Sequence, residues 1–330
     1  MLLSLMRPNS TLLILSFTAL AQAQDWTWRG TALLTQARSE ACLQRLPDGR
    51  VLAIGGLGPD PLDSVELFST QPTESFRAVA PLPAPRAGHG CTTLDDGRIL
   101  VVGGGARGIA LYEPSWDSWT PIDSPVERSG GTVALRLLDG RVLIAGGGST
   151  VLETFDANSA EITTLPATLL FRREKFTLTL LADGRVLIIG GLKGETTLGS
   201  TEIFDPATDT VQAGPALTGP RAAHSATRLL DGRVLLAGGS SGAADLNTLE
   251  VFDPESATFK TLSATLQQAR QGHANLLFDG NGTVLLAGGS AAGVPLTTTE
   301  LFNPAENQVL NAGPLTAART AIAAILLDDG

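Results

Sequence analysis

The apolar positions of this chain fall into short runs that recur at similar intervals. A typical run, Val186-Leu187-Ile188-Ile189, follows an Asp-Gly step and ends at a glycine pair. The turn glycines of successive copies are Gly49, Gly97, Gly140, Gly184, Gly232, Gly282 and Gly330, which are spaced 43 to 50 residues apart. A short run that is apolar on both faces predicts a central β-strand. A period of this length indicates stacked supersecondary units.

Three further segments complete one repeat. Asp-Gly between two apolar runs predicts a two-residue type I′ hairpin turn, so another strand precedes it. After a variable loop comes Glu-apolar-aromatic, as in Glu202-Ile203-Phe204, which predicts a third strand. Seven or eight residues past that aromatic, a large residue marks a short fourth strand. The large residues are Phe76, Trp119, Ile162, Val211, Phe259 and Val309. Four antiparallel strands whose sheet cannot bury its own faces predict one blade of a β-propeller.

These segments resemble the Kelch repeat, in which a glycine pair, a Glu-x-aromatic segment and a downstream large aromatic recur in this order. The resemblance covers nearly all of the chain after residue 23, although Trp119 is the only internal copy with the family's usual tryptophan. It implies an all-β fold of four-stranded antiparallel Kelch-type blades, similar to the central domain of galactose oxidase without its copper site. Copper-radical oxidases of that type need tyrosine ligands, and the only tyrosine, Tyr112, falls in the third-strand aromatic position. We therefore expect no metal and no cofactor.

The number of blades follows from an arginine that precedes each first strand. These repeat arginines are Arg38, Arg86, Arg128, Arg173, Arg221, Arg270 and Arg319. Seven of them against six glycine pairs predict six full blades plus the start of a seventh, in which the chain is truncated. A closed six-bladed propeller is the alternative. The segment Asp25-Trp26-Thr27-Trp28 precedes Arg38 as a fourth strand would, so we expect it to close the last blade.

The N-terminus has the features of a secretory signal peptide. Arg7 is followed by the apolar run Leu12 to Leu20 and by Ala21-Gln22-Ala23, a small-x-small cleavage site. We therefore predict a signal peptide over 1–23 and a propeller over 24–330, with a membrane anchor as the alternative. The mature protein is expected to be secreted, periplasmic or on the cell surface, without a membrane span. Further domains after Gly330 would fit the abrupt end.

The net charge limits the classes of partner that this chain can bind, and the positions of its two cysteines bear on whether they form a disulfide. The formal net charge of −10 makes nucleic acid an unsuitable partner. Cys42 lies four residues after Arg38, whereas Cys91 lies five after Arg86. Because side chains one step apart on a strand point to opposite faces, this offset favours two buried free thiols over a disulfide.

The titratable residues that recur at fixed repeat positions are the candidates for chemistry. His89, His224 and His273 each stand three residues after a repeat arginine, which favours packing or hydrogen bonding over metal ligation. The repeated glutamates of the third strands are expected to pair with a repeat arginine or a loop backbone. They are Glu66, Glu153, Glu202, Glu250 and Glu300. The repeat arginines have two interpretations: structural pairing with these glutamates, or an anion-binding ring at a channel mouth.

The sequence contains no nucleophile motif, phosphate loop or Asp box that would indicate an enzyme. We therefore predict a secreted, non-enzymatic binding or scaffold module. Its partner would be an anionic protein or glycan, bound on the face with the repeat arginines and the glycine-pair loops, with His224 and His273 nearby. The alternatives are a carbohydrate-active propeller similar to the Kelch-type sialic acid epimerases, and a spacer between other domains.

Overall fold

The computed structural model describes residues 3–4, 12–15, 28 and 30–327, and every regular element in them is a β-strand. Near the N-terminus, β1 is Leu3–Ser4, β2 is Leu12–Leu15 and β3 is Gly30–Thr31, and β1 pairs with β3 in parallel. The predicted closing strand at Asp25 to Thr27 lies outside the described residues, and Trp28 is not in a strand.

Six four-stranded antiparallel sheets follow, one for each repeat, which confirms the predicted blade. Blade one contains β4 (Cys42–Arg45), β5 (Val51–Ile54), β6 (Val65–Ser69) and β7 (Ser75–Val79). Blade two contains β8 (Gly90–Thr93), β9 (Ile99–Val102), β10 (Ile109–Glu113) and β11 (Ser118–Ile122). Blade three contains β12 (Thr132–Arg136), β13 (Val142–Gly146), β14 (Ser149–Asp156) and β15 (Glu161–Thr168).

The next three blades repeat the pattern, and two of them carry a small extra hairpin in the loop after the glycine pair. Blade four contains β16 (Thr177–Leu180), β17 (Val186–Ile189), β20 (Thr201–Asp205) and β21 (Thr210–Ala213), with the hairpin β18 (Leu192–Lys193) and β19 (Thr196–Thr197). Blade five contains β22 (Ser225–Arg228), β23 (Val234–Ala237), β24 (Thr248–Asp253) and β25 (Thr258–Thr265). Blade six contains β26 (Ala274–Leu277), β27 (Val284–Ala287), β30 (Thr299–Asn303) and β31 (Gln308–Asn311), with the hairpin β28 (Ser290–Ala291) and β29 (Val294–Pro295).

The chain divides into two compact units. The first comprises Met1–Ser149, Glu153–Thr164 and Ala321–Gly330, and the second comprises Thr150–Leu152 and Leu165–Thr320. In the first unit, one apolar cluster lies between blades one and two and another between blades two and three. In the second unit, equivalent clusters lie between blades four and five and between blades five and six. Each blade therefore buries at least one face against a neighbouring blade of the same unit.

The order of burial across a blade follows the sequence pattern. All four residues of β5, β9, β17, β23 and β27 are buried, as predicted for central strands that are apolar on both faces. The third-strand aromatic and the downstream large residue lie directly opposite each other, as in Phe68 with Phe76 and Tyr112 with Trp119. Their spacing of seven or eight residues is therefore the length of a β-hairpin that joins them.

The Asp-Gly turns differ from the predicted two-residue type I′ turns. Glycine has positive φ in each of these turns within residues 30–327, 85° at Gly49, but none of the aspartates in them does. The N–H of Gly49 donates to the Leu46 carbonyl at 2.9 Å, and the N–H of Leu46 donates to the Arg50 carbonyl at 2.8 Å. This is a three-residue loop, a type I turn followed by a left-handed glycine. The aspartate is held by its own arginine instead, since Asp48 Oδ1 accepts the N–H of Arg50 at 3.1 Å.

A further strand, β32 (Ala323–Leu326), follows Arg319. It packs against β4, as β4 packs against β8, and Leu327 belongs to the same apolar cluster as Leu43. This is the position expected for the first strand of a seventh blade. β32 pairs in parallel with β2 and with no strand of the six complete blades.

The prediction of free thiols is wrong, because Cys42 and Cys91 form a disulfide with their Cα atoms 6.3 Å apart. The two residues lie on β4 and β8, which belong to different sheets that pack face to face. Side chains that meet between two stacked sheets come from opposite faces of the two blades. The one-residue offset, which argued against a bridge within one sheet, is therefore what brings the two sulfurs together between two sheets.

Candidate functional site

Each repeat arginine reaches from the start of its blade to the glycine pair of the same blade. Arg38 Nη1 donates to the carbonyl of Gly55 at 2.9 Å and to that of Ser64 at 2.7 Å, so it joins the two ends of the loop. Equivalent bonds to the first glycine of the pair are made by Arg86, Arg128, Arg173, Arg221 and Arg270. All seven repeat arginines are buried. Burial lowers their pKa in six of the seven, against the raising effect of a glutamate where one is present.

The third-strand glutamates are the partners of these arginines, as predicted. Arg173 Nη2 and Nε both bind Glu202 Oε1, at 2.7 and 2.9 Å, and both side chains are fully buried. The pairs in the other blades are Arg38 with Glu66, Arg128 with Glu153, Arg221 with Glu250 and Arg270 with Glu300. The second oxygen of Glu202 accepts the backbone N–H of Leu170 at 2.8 Å, three residues before the arginine. Each pair therefore ties the start of the blade, its third strand and its loop together.

The histidines fill a gap between neighbouring blades. A Cβ placed on Gly190 would stand 3.2 Å from His224 Cε1, and one on Gly238 would stand 3.2 Å from His273 Cε1. His224 Nε2 lies 3.0 Å from Thr177 Oγ1, and His273 Nε2 lies 2.9 Å from Ser225 Oγ, so a hydroxyl of the preceding blade binds each ring. Glycine is required at these two positions mainly because φ is positive and a Cβ would stand within 2.5 Å of the carbonyl oxygen of Arg221 or of Arg270, and the imidazole fills much of the remaining space.

Burial also keeps these imidazoles neutral. It lowers the pKa of His224 and of His273 to about 3 and that of His89 to about 4, with the neighbouring repeat arginine contributing in the same direction. The same position holds Phe176 in blade four and Ile322 after Arg319. A position that accepts Phe, Ile or a neutral His is a packing position, as the recurrence predicted.

A surface recess lies where the loops are shortest. Between second and third strands, the loops span residues 55–64, 190–200, 238–247 and 288–298 in blades one, four, five and six, but only 103–108 in blade two and 147–148 in blade three. The short loops leave a recess of about 460 Å³ in the first unit. It is lined by Gly105, Ala106, Arg107, Glu127, Arg128, Ser129, Gly147 and Gly148. Arg107 and Glu127 are exposed, and neither has an ion-pair partner among the described residues.

This architecture is similar to that of known proteins. A family model described as the Kelch motif matches residues 221–264. The solved structure of YjhT superimposes with a TM-score of 0.62 at 15% identity, covering 83% of this chain and 97% of that one. A fungal alcohol oxidase of the AA5 family in complex with copper superimposes with a TM-score of 0.71 at 18% identity, covering 86% of this chain and 66% of that one.

Residues 221–264 match a Kelch motif, and the fold is that of a β-propeller. At these identities the structural likeness concerns the fold alone. No curated protein matches the sequence.

In this propeller, Tyr112 makes contacts within blade two. Its hydroxyl donates to Asp117 Oδ1 at 2.8 Å and its ring packs on Trp119 with 4.8 Å between centroids. No group of three or more His, Cys, Asp or Glu side chains suited to hold a metal ion occurs in residues 30–327. The described part of the chain also has no helix with the length and apolarity needed to cross a bilayer.

The predicted binding residues thus occupy the expected end of each blade, next to the glycine-pair loops, but inside it. Direct contact of the repeat arginines, His224 or His273 with a ligand stays a prediction, and their burial gives it no support. Arg107 lies in a glycine-pair loop of the predicted binding face, but neither Arg107 nor Glu127 was singled out, because they belong to no repeat position. The spacing of the repeats is a further signal in the sequence, since the repeats measured from Gly97 and from Gly140 are the two shortest.

Proposed function

We propose that this propeller is an exported, non-catalytic binding module that holds an anionic ligand in the recess between blades two and three. The observation that carries the proposal is the position of Arg107 and Glu127, two exposed charged side chains on the rim of a recess that the short loops create. Variable loops on a rigid scaffold are the usual place for recognition.

The lining of the recess suits a ligand with a carboxylate and neighbouring polar groups. The guanidinium of Arg107 can bind a carboxylate through two parallel hydrogen bonds. Glu127 can accept hydrogen bonds from hydroxyl or amide groups of the same ligand. Gly105, Gly147 and Gly148 have no side chains, so a ligand can approach the backbone closely. An acidic sugar or the acidic side chain of a partner protein fits this lining.

The sequence and the disulfide together support export. Residues 1–23 have the arrangement of a secretory signal, and the Cys42–Cys91 disulfide is of the kind that persists in oxidising compartments. The overall negative charge would repel anions from most of the surface, so a fixed cation at the recess would provide selectivity.

The test is to measure binding of the exported protein to arrays of acidic glycans and acidic peptides, and to compare Arg107→Ala with Arg50→Ala. Loss of a charge-assisted hydrogen bond should weaken binding by about tenfold or more in Arg107→Ala. Arg50 is the matched control, because it is a surface arginine of the same unit at the opposite end of a second strand, and its loss should leave binding unchanged. Mass analysis of the protein used should find Gln24 as the first residue.

Three results would contradict the proposal. Equal binding by wild type and Arg107→Ala would place the ligand elsewhere, and soluble protein that retains residues 1–23 would argue against export. Acceleration of sugar anomer exchange, followed by NMR at equal protein concentration, would favour the carbohydrate-active alternative over a non-catalytic module.

A further inference from the structure

Blade two lacks the carboxylate that accompanies the repeat arginine in every other complete blade. Ala110 stands where the other third strands have Glu66, Glu153, Glu202, Glu250 or Glu300. Arg86 is nevertheless as deeply buried as its counterparts, with 2% of its surface exposed. No carboxylate of residues 30–327 lies within ion-pair distance of Arg86. Blade two therefore contains a buried guanidinium without a counter-charge.

The contacts of Arg86 satisfy only part of its hydrogen-bonding capacity. Nη1 donates to the carbonyls of Gly103 at 2.8 Å and Gly108 at 3.1 Å, and Nη2 reaches the carbonyl of Arg107 only at 3.4 Å. Nε, which is also buried, has no acceptor among the described residues; this is also true of Arg221 and Arg270, so the contact that blade two lacks is the one from Nη2 to a glutamate. Carbonyl dipoles offset a full positive charge poorly, and burial accordingly lowers the pKa of Arg86 to about 10. The unmet hydrogen-bonding capacity is on the side of the guanidinium that binds glutamate in blade four.

The backbone before Arg86 also offers one hydrogen-bond donor fewer than in most of the other blades. In blades one, four, five and six, the glutamate also accepts the backbone N–H of the residue three positions before the arginine. In blade two that residue is Pro83, which has no N–H to donate. Blade three also has a proline there, Pro125, and its Glu153 accepts a hydrogen bond from the Ser124 hydroxyl at 3.1 Å instead. The N–H of Ala84, two residues before Arg86, remains available. At the same position in blades one and six, the N–H groups of Gln36 and Gln268 donate to Glu66 and Glu300 at 3.3 Å. Blade two thus keeps the cation and one backbone donor but has lost the anion they share.

We propose that a small monovalent inorganic anion, such as chloride, binds beside Arg86 in the place of the missing carboxylate. Ala has four side-chain atoms fewer than Glu, and the ion would take the volume that those atoms fill in the other blades. The ion supplies the full negative charge, and Arg86 Nε, Nη2 and the N–H of Ala84 donate to it. The site lies inside the blade and does not depend on the proposed function of the recess.

The test measures thermal stability while chloride replaces a bulky anion such as gluconate at constant ionic strength. The melting temperature of the wild type should rise by about 2 °C or more as the chloride concentration increases from values that leave the site empty to values that fill it. In Ala110→Glu the restored carboxylate occupies the site, so its melting temperature should not depend on the choice of anion. Ala110→Gln is the matched control, since it fills the space without supplying the charge and should be destabilised relative to Ala110→Glu.

Two results would overturn the proposal: a wild-type melting temperature that does not depend on chloride, or an equal chloride dependence in wild type and Ala110→Glu. Should Ala110→Glu not fold, crystals of the wild type soaked in bromide decide the question. Anomalous density in contact with the Arg86 guanidinium supports the site. Its absence there, with bromide visible elsewhere in the crystal, contradicts it.

Discussion

At the scale of single residues, arginine–carboxylate pairs occur in two settings in this propeller. One pair is exposed at the start of a second strand, and the other is buried at the end of the same strand. Arg185 and Asp183 form a surface pair at an Asp-Gly turn, where the Arg185 side chain is 40% exposed. Arg173 and Glu202, in the same blade, form a pair that is completely buried. Surface pairs contribute little because water and salt screen them, whereas removing one partner of a buried pair leaves an uncompensated charge.

The two arginines of blade four therefore give a direct comparison. Arg173→Ala removes the cation that neutralises buried Glu202, and we expect it to lower the free energy of unfolding by about 3–5 kcal/mol. Arg185→Ala, the matched surface change, should cost less than about 1 kcal/mol. Denaturant unfolding of both variants measures the difference. Similar costs would mean that the buried pair is not what holds the loop to the blade.

The buried histidines predict a specific dependence of stability on pH. In the folded state the pKa of His224 is about 3, whereas in the unfolded chain it is about 6.5. Between these values the unfolded state binds a proton that the folded state does not, so stability falls as pH is lowered from about 6.5 towards 3. Each such histidine contributes a slope of up to about 1.4 kcal/mol per pH unit.

Replacing one histidine should reduce this slope. Phe is the suitable substitute for His224, since Phe176 occupies the same position in blade four, and Thr177→Val removes the hydroxyl that would lose its partner. We expect the double variant to lose less stability than wild type between pH 6.5 and 4, by the contribution of one histidine. Unfolding free energies measured at several pH values provide the comparison, and parallel curves would show that His224 does not set the slope.

At the scale of elements, the sequence predicted strands better than it predicted what lies between them. The four strands of a blade, their burial and the pairing of Phe68 with Phe76 follow from apolar patterning and spacing, which act within one sheet. The turn at Asp48-Gly49 was predicted as the wrong type because Asp-Gly is compatible with several turns, and hydrogen bonds of the preceding residue decide among them. The disulfide was missed because it joins different sheets, and the face that each cysteine presents to its neighbour follows only from the stacking of blades.

The candidate site shows the same limit. Pairing of the repeat arginines with the glutamates was predictable, since both recur at fixed positions. Their depth inside the blade was not, because charged residues at a loop are usually exposed. Arg107 and Glu127 carry no repeat signature, and only the short loops of blades two and three make them neighbours of a recess.

At the scale of the whole molecule, five of the six complete blades pair their buried arginine with a glutamate of the same blade, and blade two is the exception. The blades therefore differ mainly in their loops. β32 stands apart from the six complete blades, because it packs against β4 as a first strand would and pairs with none of their strands. Among the described residues its only strand partner is β2, which lies in the segment we predict to be removed on export. In a polypeptide of residues 24–330, β32 would then have an uncovered edge, and uncovered edges pair with other chains.

The last prediction concerns that edge. We compare residues 24–330 with a version extended by one further glycine-pair strand and one Glu-x-Phe strand, both copied from the sequence of blade five. The extended version should melt at a higher temperature and remain monomeric in sedimentation velocity, because the added strands cover the edge of β32. As a control, Lys in place of Ala324 in the shorter version should reduce self-association without raising the melting temperature, since a charge protects an edge without pairing it. Equal melting temperatures and equal monodispersity of the two lengths would instead favour a propeller that closes with six blades.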